Sequence, residues 1–72
     1  MYTAHVEVDA KKLRALRRKR VLTLRELGEK AGISKDTISR VEREGTAYPS
    51  TIRKLAGALG VEPSELVKEE EE

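Results

Sequence analysis

The stretch that decides the fold is LRELGEKAGISKDTISRVE, residues 24–42. Apolar residues recur every three or four positions on both sides of Gly32, which is the spacing of amphipathic helices. Glycine readily adopts the left-handed conformation that ends a helix, and Ser34 can cap the helix that follows. Ile33 lies between them and is expected to plug the core. The stretch therefore predicts a tight turn followed by a helix from about Lys35 to Arg43.

Two helices are predicted before this turn. Asp9 can cap the first, which carries a dense basic stretch and ends near Val21 and Leu22. Thr23 with Glu26 three residues later has the pattern of a capping box, so a second, short helix begins there. Because the second helix stops at a glycine and the third starts at once, the two must meet at a steep angle, the helix-turn-helix layout.

Beyond the third helix, residues 44–50 (EGTAYPS) contain glycine and proline and predict a loop. Ser50 is expected to cap a fourth helix that ends at Gly60, and Pro63 indicates a last short helix. The predicted fold class is all-α, a compact five-helix bundle with a short N-terminal strand as an added element.

Size and composition agree with packed helices. The 72 residues include no Cys, Phe or Trp, so one small domain must be held by Leu, Ile, Val and Ala without disulfides. No apolar run approaches the roughly 20 residues that span a bilayer, and the N-terminus lacks the order of a secretory signal. A cytoplasmic protein is expected.

Charge is unevenly distributed along the chain. Residues 9–54 carry 14 Lys and Arg against 6 Asp and Glu, whereas residues 55–72 carry 1 against 6. A basic body with an acidic end is expected when one face meets a polyanion, although a solvated charged surface gives the same pattern.

The first eight residues, MYTAHVEV, alternate in polarity as a half-buried strand does. A single strand cannot satisfy its own backbone, so this segment is expected to be a frayed arm or to pair outside the domain, most simply with a second copy. The predicted organisation is residues 1–8 as N-terminal arm or strand, 9–67 as the helical domain and 68–72 as an acidic tail.

From about Leu13 to Leu66, the segments LRALRRKRVLTLRELGEKAGIS, TISRVE and PSTIRKLAGALGVEPSEL resemble the Cro/C1-type (Xre-like) helix-turn-helix DNA-binding family. The resemblance implies a lambda-repressor-like bundle with the third helix in the DNA major groove. The sequence departs from the family pattern at Leu24, where a polar residue is common, and at Gly28, where alanine is usual. The loop before Pro49 is also one residue longer than the common spacing.

The resemblance implies that the start of the third helix reads the bases. The alternative for Asp36 is that it serves only the positive end of its helix dipole, and the alternative for Lys35 is a phosphate contact in place of a base contact. The expected base-reading residues are Lys35, Asp36, Thr37, Ser39 and Arg40.

Backbone contacts are expected where helices start, because their free N–H groups bind phosphate. The family pattern also pairs Arg17 with Glu42, an ion pair that ties the reading helix to the first helix. The expected phosphate-contacting residues are Thr23, Leu24, Ser34, Arg43, Tyr48, Ser50 and Thr51.

The predicted function is that of a sequence-specific regulator of transcription, a repressor that binds a palindromic operator in double-stranded DNA as a homodimer. It would act at the nucleoid of a prokaryote or phage. The alternative is an antitoxin-like or anti-repressor module whose N-terminal arm or acidic tail binds a protein partner, with DNA binding secondary. An enzyme is not expected, since the chain has no Cys, one His and no phosphate-binding glycine loop, and neither a cofactor nor a metal is predicted.

Overall fold

The computed structural model describes residues 5–68. Within that range it contains four α-helices, a two-stranded ribbon and one 3₁₀ turn. In chain order the elements are β1 (Val6–Glu7), α1 (Ala10–Lys19), α2 (Leu24–Ala31), α3 (Lys35–Glu44), β2 (Thr46–Ala47), α4 (Pro49–Leu59) and the 3₁₀ turn (Pro63–Leu66). None of the described helices is long and apolar enough to cross a membrane.

The predicted helix boundaries around the turn are confirmed. The Thr23 hydroxyl accepts from the Glu26 N–H at 3.0 Å, and the Glu26 carboxylate accepts from the Thr23 N–H at 2.9 Å, which completes the capping box. Gly32 ends α2 in the left-handed conformation with φ of 75°. Ser34 then caps α3 by accepting from the Thr37 N–H at 3.2 Å. These local interactions make α3 begin immediately after the turn.

The core lies between the helices, with α3 packed against α1 and α2, and with α2 and the 3₁₀ turn packed against α4. Full burial of an aliphatic side chain stabilises a fold by about 1.5–3 kcal/mol, so a core of this kind can hold a small domain without disulfides. The buried apolar residues are Val8, Leu13, Leu27, Ile38, Val41, Ala47, Ile52, Leu55, Ala56, Leu59 and Leu66.

For residues 6–8, the expectation of a frayed arm or of pairing outside the domain is wrong. Strand β1 pairs antiparallel with β2, with Val6 opposite Ala47, so part of the predicted loop at residues 44–50 is a strand. The other edge of β1 is also occupied, because Val8 bridges Val67 and the Lys68 N–H donates to the Glu7 carbonyl at 3.0 Å. Both edges of the strand therefore find partners within the chain. Residues 1–4 and the acidic residues 69–72 lie outside the described part.

Two further helix predictions need correction. Helix α4 begins at Pro49 with Tyr48 as its N-cap, because proline has the φ of a first helical residue and extends the helix before Ser50. Ser50 is thus inside the helix and is not its cap. The last predicted helix is a 3₁₀ turn of four residues, so residues 5–68 contain four α-helices instead of five.

The connection after α1 contains an unusual backbone conformation. Val21 has a φ of 55°, a region that β-branched residues rarely adopt, and the residue is 84% exposed. The reversal is held by the Leu22 N–H, which donates to the Arg17 carbonyl at 3.1 Å, and by the Arg17 guanidinium, which donates to the Leu22 carbonyl at 3.0 Å. Arg17 therefore fixes the direction in which the chain enters α2.

Candidate nucleic-acid interface

Helix α3 has one buried face and one open face. Ile38 and Val41 are buried in the core, whereas Lys35, Asp36 and Arg40 are exposed. This division follows from the helical period, since residues three apart share a face. The helix can therefore present three polar side chains to a partner without disturbing its own packing.

Lys35 and Asp36 form an exposed ion pair at the start of α3. The Lys35 ammonium lies 3.5 Å from an Asp36 carboxylate oxygen, and the Asp36 side chain is 90% exposed. Pairs of this kind contribute only about 0–1 kcal/mol, because water screens both charges. A DNA partner could therefore separate the two side chains at little energetic cost.

Thr37 and Ser39 are less available than the other three predicted readers. Both residues are partly buried. The Thr37 hydroxyl lies 2.9 Å from the Ser34 hydroxyl, so the predicted phosphate contact Ser34 and the predicted reader Thr37 share one hydrogen-bonded cap. Of the predicted readers, Lys35, Asp36 and Arg40 are therefore the exposed ones. Thr37 is instead hydrogen-bonded to the capping residue Ser34.

The starts of α2 and α4 differ in the donors that they leave free. At α2 the Thr23 N–H is already bonded to Glu26, which contradicts the expectation of a free donor there. The N–H groups that remain without an acceptor within residues 5–68 belong to Leu24 and Arg25. The Leu24 side chain packs against the core, so only its backbone can bind a phosphate.

Helix α4 starts without any side-chain cap. Pro49 has no N–H, and the Ile52 N–H donates to the Tyr48 carbonyl at 3.1 Å. The N–H groups of Ser50 and Thr51 then have no acceptor within the described range, and the hydroxyls of both residues are near the same helix end. Backbone donors at a helix start suit an anionic group, because the helix dipole places partial positive charge there.

The two remaining predicted phosphate contacts lie near the end of α3. Arg43 is exposed and forms a weak pair with Glu44, with 3.6 Å between the nearest atoms. Tyr48 is 41% exposed although it is a large aromatic residue. Both side chains are therefore accessible, Arg43 in the last turn of α3 and Tyr48 at the start of α4.

A buried ion cluster ties α3 to α1. The Glu42 carboxylate, whose side chain is only 6% exposed, accepts from Arg17 Nε at 2.8 Å and from Arg17 Nη2 at 3.2 Å. Arg14 Nε donates to the same carboxylate at 3.3 Å. Among residues 5–68, Glu42 is the one buried charged side chain. A buried charge is tolerable only when it is paired and hydrogen-bonded, and both conditions are met here.

Sequence reasoning named Arg17 and Glu42 but missed Arg14 as the third member of this cluster. Arg14 and Arg17 are three residues apart on α1, so they lie on the same helix face. That spacing is a signal that the sequence contains, but it does not reveal which of the many basic residues faces Glu42.

The turn between α2 and α3 requires glycine at position 28. A Cβ atom added to Gly28 would lie 2.5 Å from the Ile33 carbonyl oxygen and 3.4 Å from the Lys35 nitrogen. The Gly28 carbonyl also accepts from the Gly32 and Ile33 N–H groups at 2.8 and 2.9 Å. Glycine at position 28, where the family usually has alanine, therefore lets the turn approach α2 more closely than alanine would allow.

Comparison with known proteins places this geometry in a family. A helix-turn-helix family model matches residues 13–66. The chain is 51% identical over 51 residues to the uncharacterized HTH-type transcriptional regulator RghRB of Bacillus subtilis, and 43% identical over 58 residues to the HTH-type transcriptional repressor RghR of the same organism. These matches cover 68% and 78% of the chain but only 37% and 43% of the relatives, so the chain spans less than half of their length.

Solved structures agree with this placement. The N-terminal DNA-binding domain of SinR from Bacillus subtilis superposes with a TM-score of 0.77 at 28% identity, covering 88% of this chain and 94% of that one. A part of a hydroxyethylphosphonate dioxygenase (Y98F mutant) superposes with a TM-score of 0.78 at 29% identity, covering 92% of this chain but 14% of the dioxygenase.

The same fold thus occurs as a DNA-binding domain and as a small part of an enzyme, which means that the fold alone does not settle the function. The family model covers most of the chain, and the curated relatives are transcriptional regulators. On the family match, the relatives and the helix-turn-helix geometry together, this chain belongs to the helix-turn-helix family of the Cro/C1 type.

Proposed function

We propose that the chain is a sequence-specific DNA-binding domain of a transcriptional repressor, with α3 in the major groove of double-stranded DNA. The observation that carries the proposal is the open end of α3, where Lys35, Asp36 and Arg40 are exposed on a helix whose opposite face is locked in the core. The repressor role is supported by the similarity to RghR, which is named as a repressor. No catalytic role is proposed for any residue.

The three exposed side chains supply complementary chemistry for base edges. Arg40 can donate two hydrogen bonds to the O6 and N7 of a guanine, and Asp36 can accept from the amino group of a cytosine. Lys35 can reach a guanine or a neighbouring phosphate. Opening the Lys35–Asp36 pair is inexpensive because both side chains are exposed, so the contacts need no rearrangement of the fold.

Two helix starts are proposed to clamp the DNA backbone on either side of α3. The proposed donors are the N–H groups of Leu24 and Arg25 at α2 and those of Ser50 and Thr51 at α4, which have no acceptor within residues 5–68. Arg43 and Tyr48 would extend the second of these contacts. Phosphate contacts fix the position of the protein on the duplex, whereas the α3 side chains provide the selectivity.

We further propose that two copies bind together. One helix reads only a few base pairs, and two copies on half-sites about 34 Å apart multiply the specificity. Strand β1 does not serve as the seam between them, because both of its edges are occupied within the chain. Binding to such an operator would place the protein with the chromosome of a prokaryote or phage.

The direct test is fluorescence anisotropy with a labelled random-sequence duplex over a salt series. A domain that neutralises about six phosphates should lose affinity with a slope of about −5 in a plot of log K against log salt. A chain that gives no salt-dependent titration would instead favour the antitoxin-like or anti-repressor alternative. Selection from a random DNA library would then define the half-site sequence and spacing, and a selected pool without any repeated or palindromic element would refute dimeric operator binding.

A further inference from the structure

The single histidine of the chain stacks on the aromatic residue that starts α4. The ring centroids of His5 and Tyr48 are 4.4 Å apart, and the ring planes are inclined by 29°. The strand register explains the contact, since Val6 pairs with Ala47 and the next pair outward in an antiparallel ribbon is His5 with Tyr48. The ribbon therefore determines where the imidazole lies.

His5 and Tyr48 line a cleft between the two elements proposed to contact DNA. The cleft has a volume of about 160 Å³, and its wall includes Thr37 and Arg40 from α3 and Thr51 from α4. The volume is smaller than that of a typical pocket for an organic ligand, which is about 300–1,000 Å³. Its place between the reading helix and the open start of α4 puts His5 at the edge of the proposed DNA-binding surface.

The charged groups around this cleft are few. Arg40 and Glu44 face it from α3, and Glu44 also pairs with Arg43 at 3.6 Å. Glu7, in β1, lies two residues from His5. Its backbone carbonyl accepts from the Lys68 backbone N–H, and the residue is exposed. The exposed pair between Glu44 and Arg43 is weak, so Glu44 keeps a negative charge beside the cleft. A DNA phosphate near the cleft would meet Arg40 and a protonated imidazole as cations and Glu44 as the opposing anion.

We propose that His5, positioned by its stack on Tyr48, is a further contact to the DNA backbone that forms when its imidazole is protonated. The inference rests on the proposed DNA-binding function. An imidazolium donates two N–H groups and forms charge-assisted hydrogen bonds to phosphate, whereas the neutral ring does not provide the charge. The Tyr48 ring also offers a face that attracts a cation. Affinity for DNA should then be higher when the imidazole is charged than when it is neutral.

The test measures binding of the full chain to a labelled random-sequence duplex at about pH 6 and about pH 8, with a salt series at each pH. One additional phosphate contact should make binding about fivefold tighter at the lower pH and steepen the salt slope by about 0.9. Thermal melts monitored by circular dichroism at both pH values show whether the fold itself changes.

Two variants separate His5 from other titrating groups, including the terminal amine. His5→Phe keeps an aromatic ring for the stack but cannot carry charge, so its affinity should be the same at both pH values and equal to that of the parent at the higher pH. His5→Lys carries charge at both pH values and should bind tightly at both. A pH effect of equal size in the parent and in His5→Phe overturns the inference.

The outcomes also distinguish this inference from the proposed function. A parent chain that binds DNA with a steep salt slope, but equally at both pH values, refutes the role of His5 and leaves the DNA-binding function intact. A parent chain that shows no salt-dependent binding at either pH refutes both. A pH effect that disappears in His5→Phe and is replaced by uniformly tight binding in His5→Lys supports the contact.

Discussion

The two ends of α3 are held in opposite ways. Near its C-terminal end, Val41 is in the core, Glu42 is bonded to Arg17 and Arg14, and the carbonyl of Gly45 accepts from Val8 at 2.8 Å. At its N-terminal end the described interactions are the Ser34 cap and a weak exposed ion pair. One helix is therefore anchored at one end and presented at the other, which separates the residues that stabilise the fold from those available to a partner.

The largest expected effect comes from breaking the anchored end. Glu42→Ala should lower the free energy of unfolding by about 3–5 kcal/mol, because it leaves the partly buried guanidinium of Arg17 without its carboxylate. Urea unfolding followed by circular dichroism measures the loss. The matched control is Glu44→Ala, which removes an exposed carboxylate two residues further along the same helix.

Glu42→Gln provides a milder variant if Glu42→Ala does not fold, since the amide keeps one acceptor oxygen for the arginines. Its loss of stability should lie between those of Glu44→Ala and Glu42→Ala. Equal losses for the Glu42 and Glu44 variants would show that the buried cluster does not anchor α3.

The turn that leads into the open end is expected to be nearly as sensitive. Gly28→Ala should destabilise the domain by about 1–3 kcal/mol, because the new Cβ would overlap the Ile33 carbonyl and displace the turn. Gly57→Ala is the matched control, since Gly57 is also inside a helix but has open space around it. There the alanine should stabilise by up to about 1 kcal/mol through helix propensity.

Thermal melts of the two alanine variants measure this difference. In a domain of this size 1 kcal/mol corresponds to a shift in melting temperature of about 4–8 °C. A rise in melting temperature for both variants would mean that the turn relaxes freely and that Gly28 is not required by its close approach.

The open end should behave differently, with an effect on binding instead of on folding. Arg40→Ala should weaken binding to a selected operator by about 1–3 kcal/mol and relax specificity at one base position. Its melting behaviour should be nearly unchanged, because the side chain is exposed. Anisotropy with operator and with random duplex gives both affinities.

Lys12→Ala is the control for the loss of one positive charge. Lys12 is also exposed but lies on α1, where its ammonium is 3.8 Å from Glu65 of the 3₁₀ turn. It should change operator and random-duplex affinity by similar, small amounts. A loss of stability in Arg40→Ala as large as that in Glu42→Ala would contradict the division between an anchored and a presented end.

The smallest expected effect tests the scaffold away from α3. Val21→Gly should stabilise the domain by about 0.5–1 kcal/mol, because relief of the left-handed strain outweighs the greater freedom of glycine in the unfolded chain. Val21→Ala keeps a Cβ at the same φ and should gain less. A larger gain for alanine than for glycine would attribute the effect to the exposed side chain and not to the backbone.

Much of the fold follows from patterns that span only a few residues. The capping box at Thr23, the left-handed Gly32 and the cap at Ser34 are all contacts within four positions, so the sequence predicts them correctly. The same patterns placed Lys35 and Arg40 on an accessible helix face. The end of α4 at Gly60 was predicted for the same reason.

The candidate site was harder to predict where two neighbouring residues, or two groups of one residue pair, could serve the same role. Ser50 has good capping chemistry, but Pro49 starts the helix earlier and Tyr48 takes the cap position. Thr23 was expected to offer a free N–H, although the capping box predicted from the same residues occupies that donor. His5 carried no motif of its own and gained a partner only when the ribbon placed it beside Tyr48.

By itself the sequence determined where α1, α2 and α3 begin, where α2 and α4 end, and which side chains of α3 face outward, because caps, left-handed glycines and helical periodicity act over one or two turns. Only the tertiary structure decided the partner of β1, the third member of the Glu42 cluster and the close approach at Gly28. These features join residues that are distant along the chain, or they depend on how closely two backbone segments approach in space. Sequence patterns that span one or two helical turns contain neither kind of information.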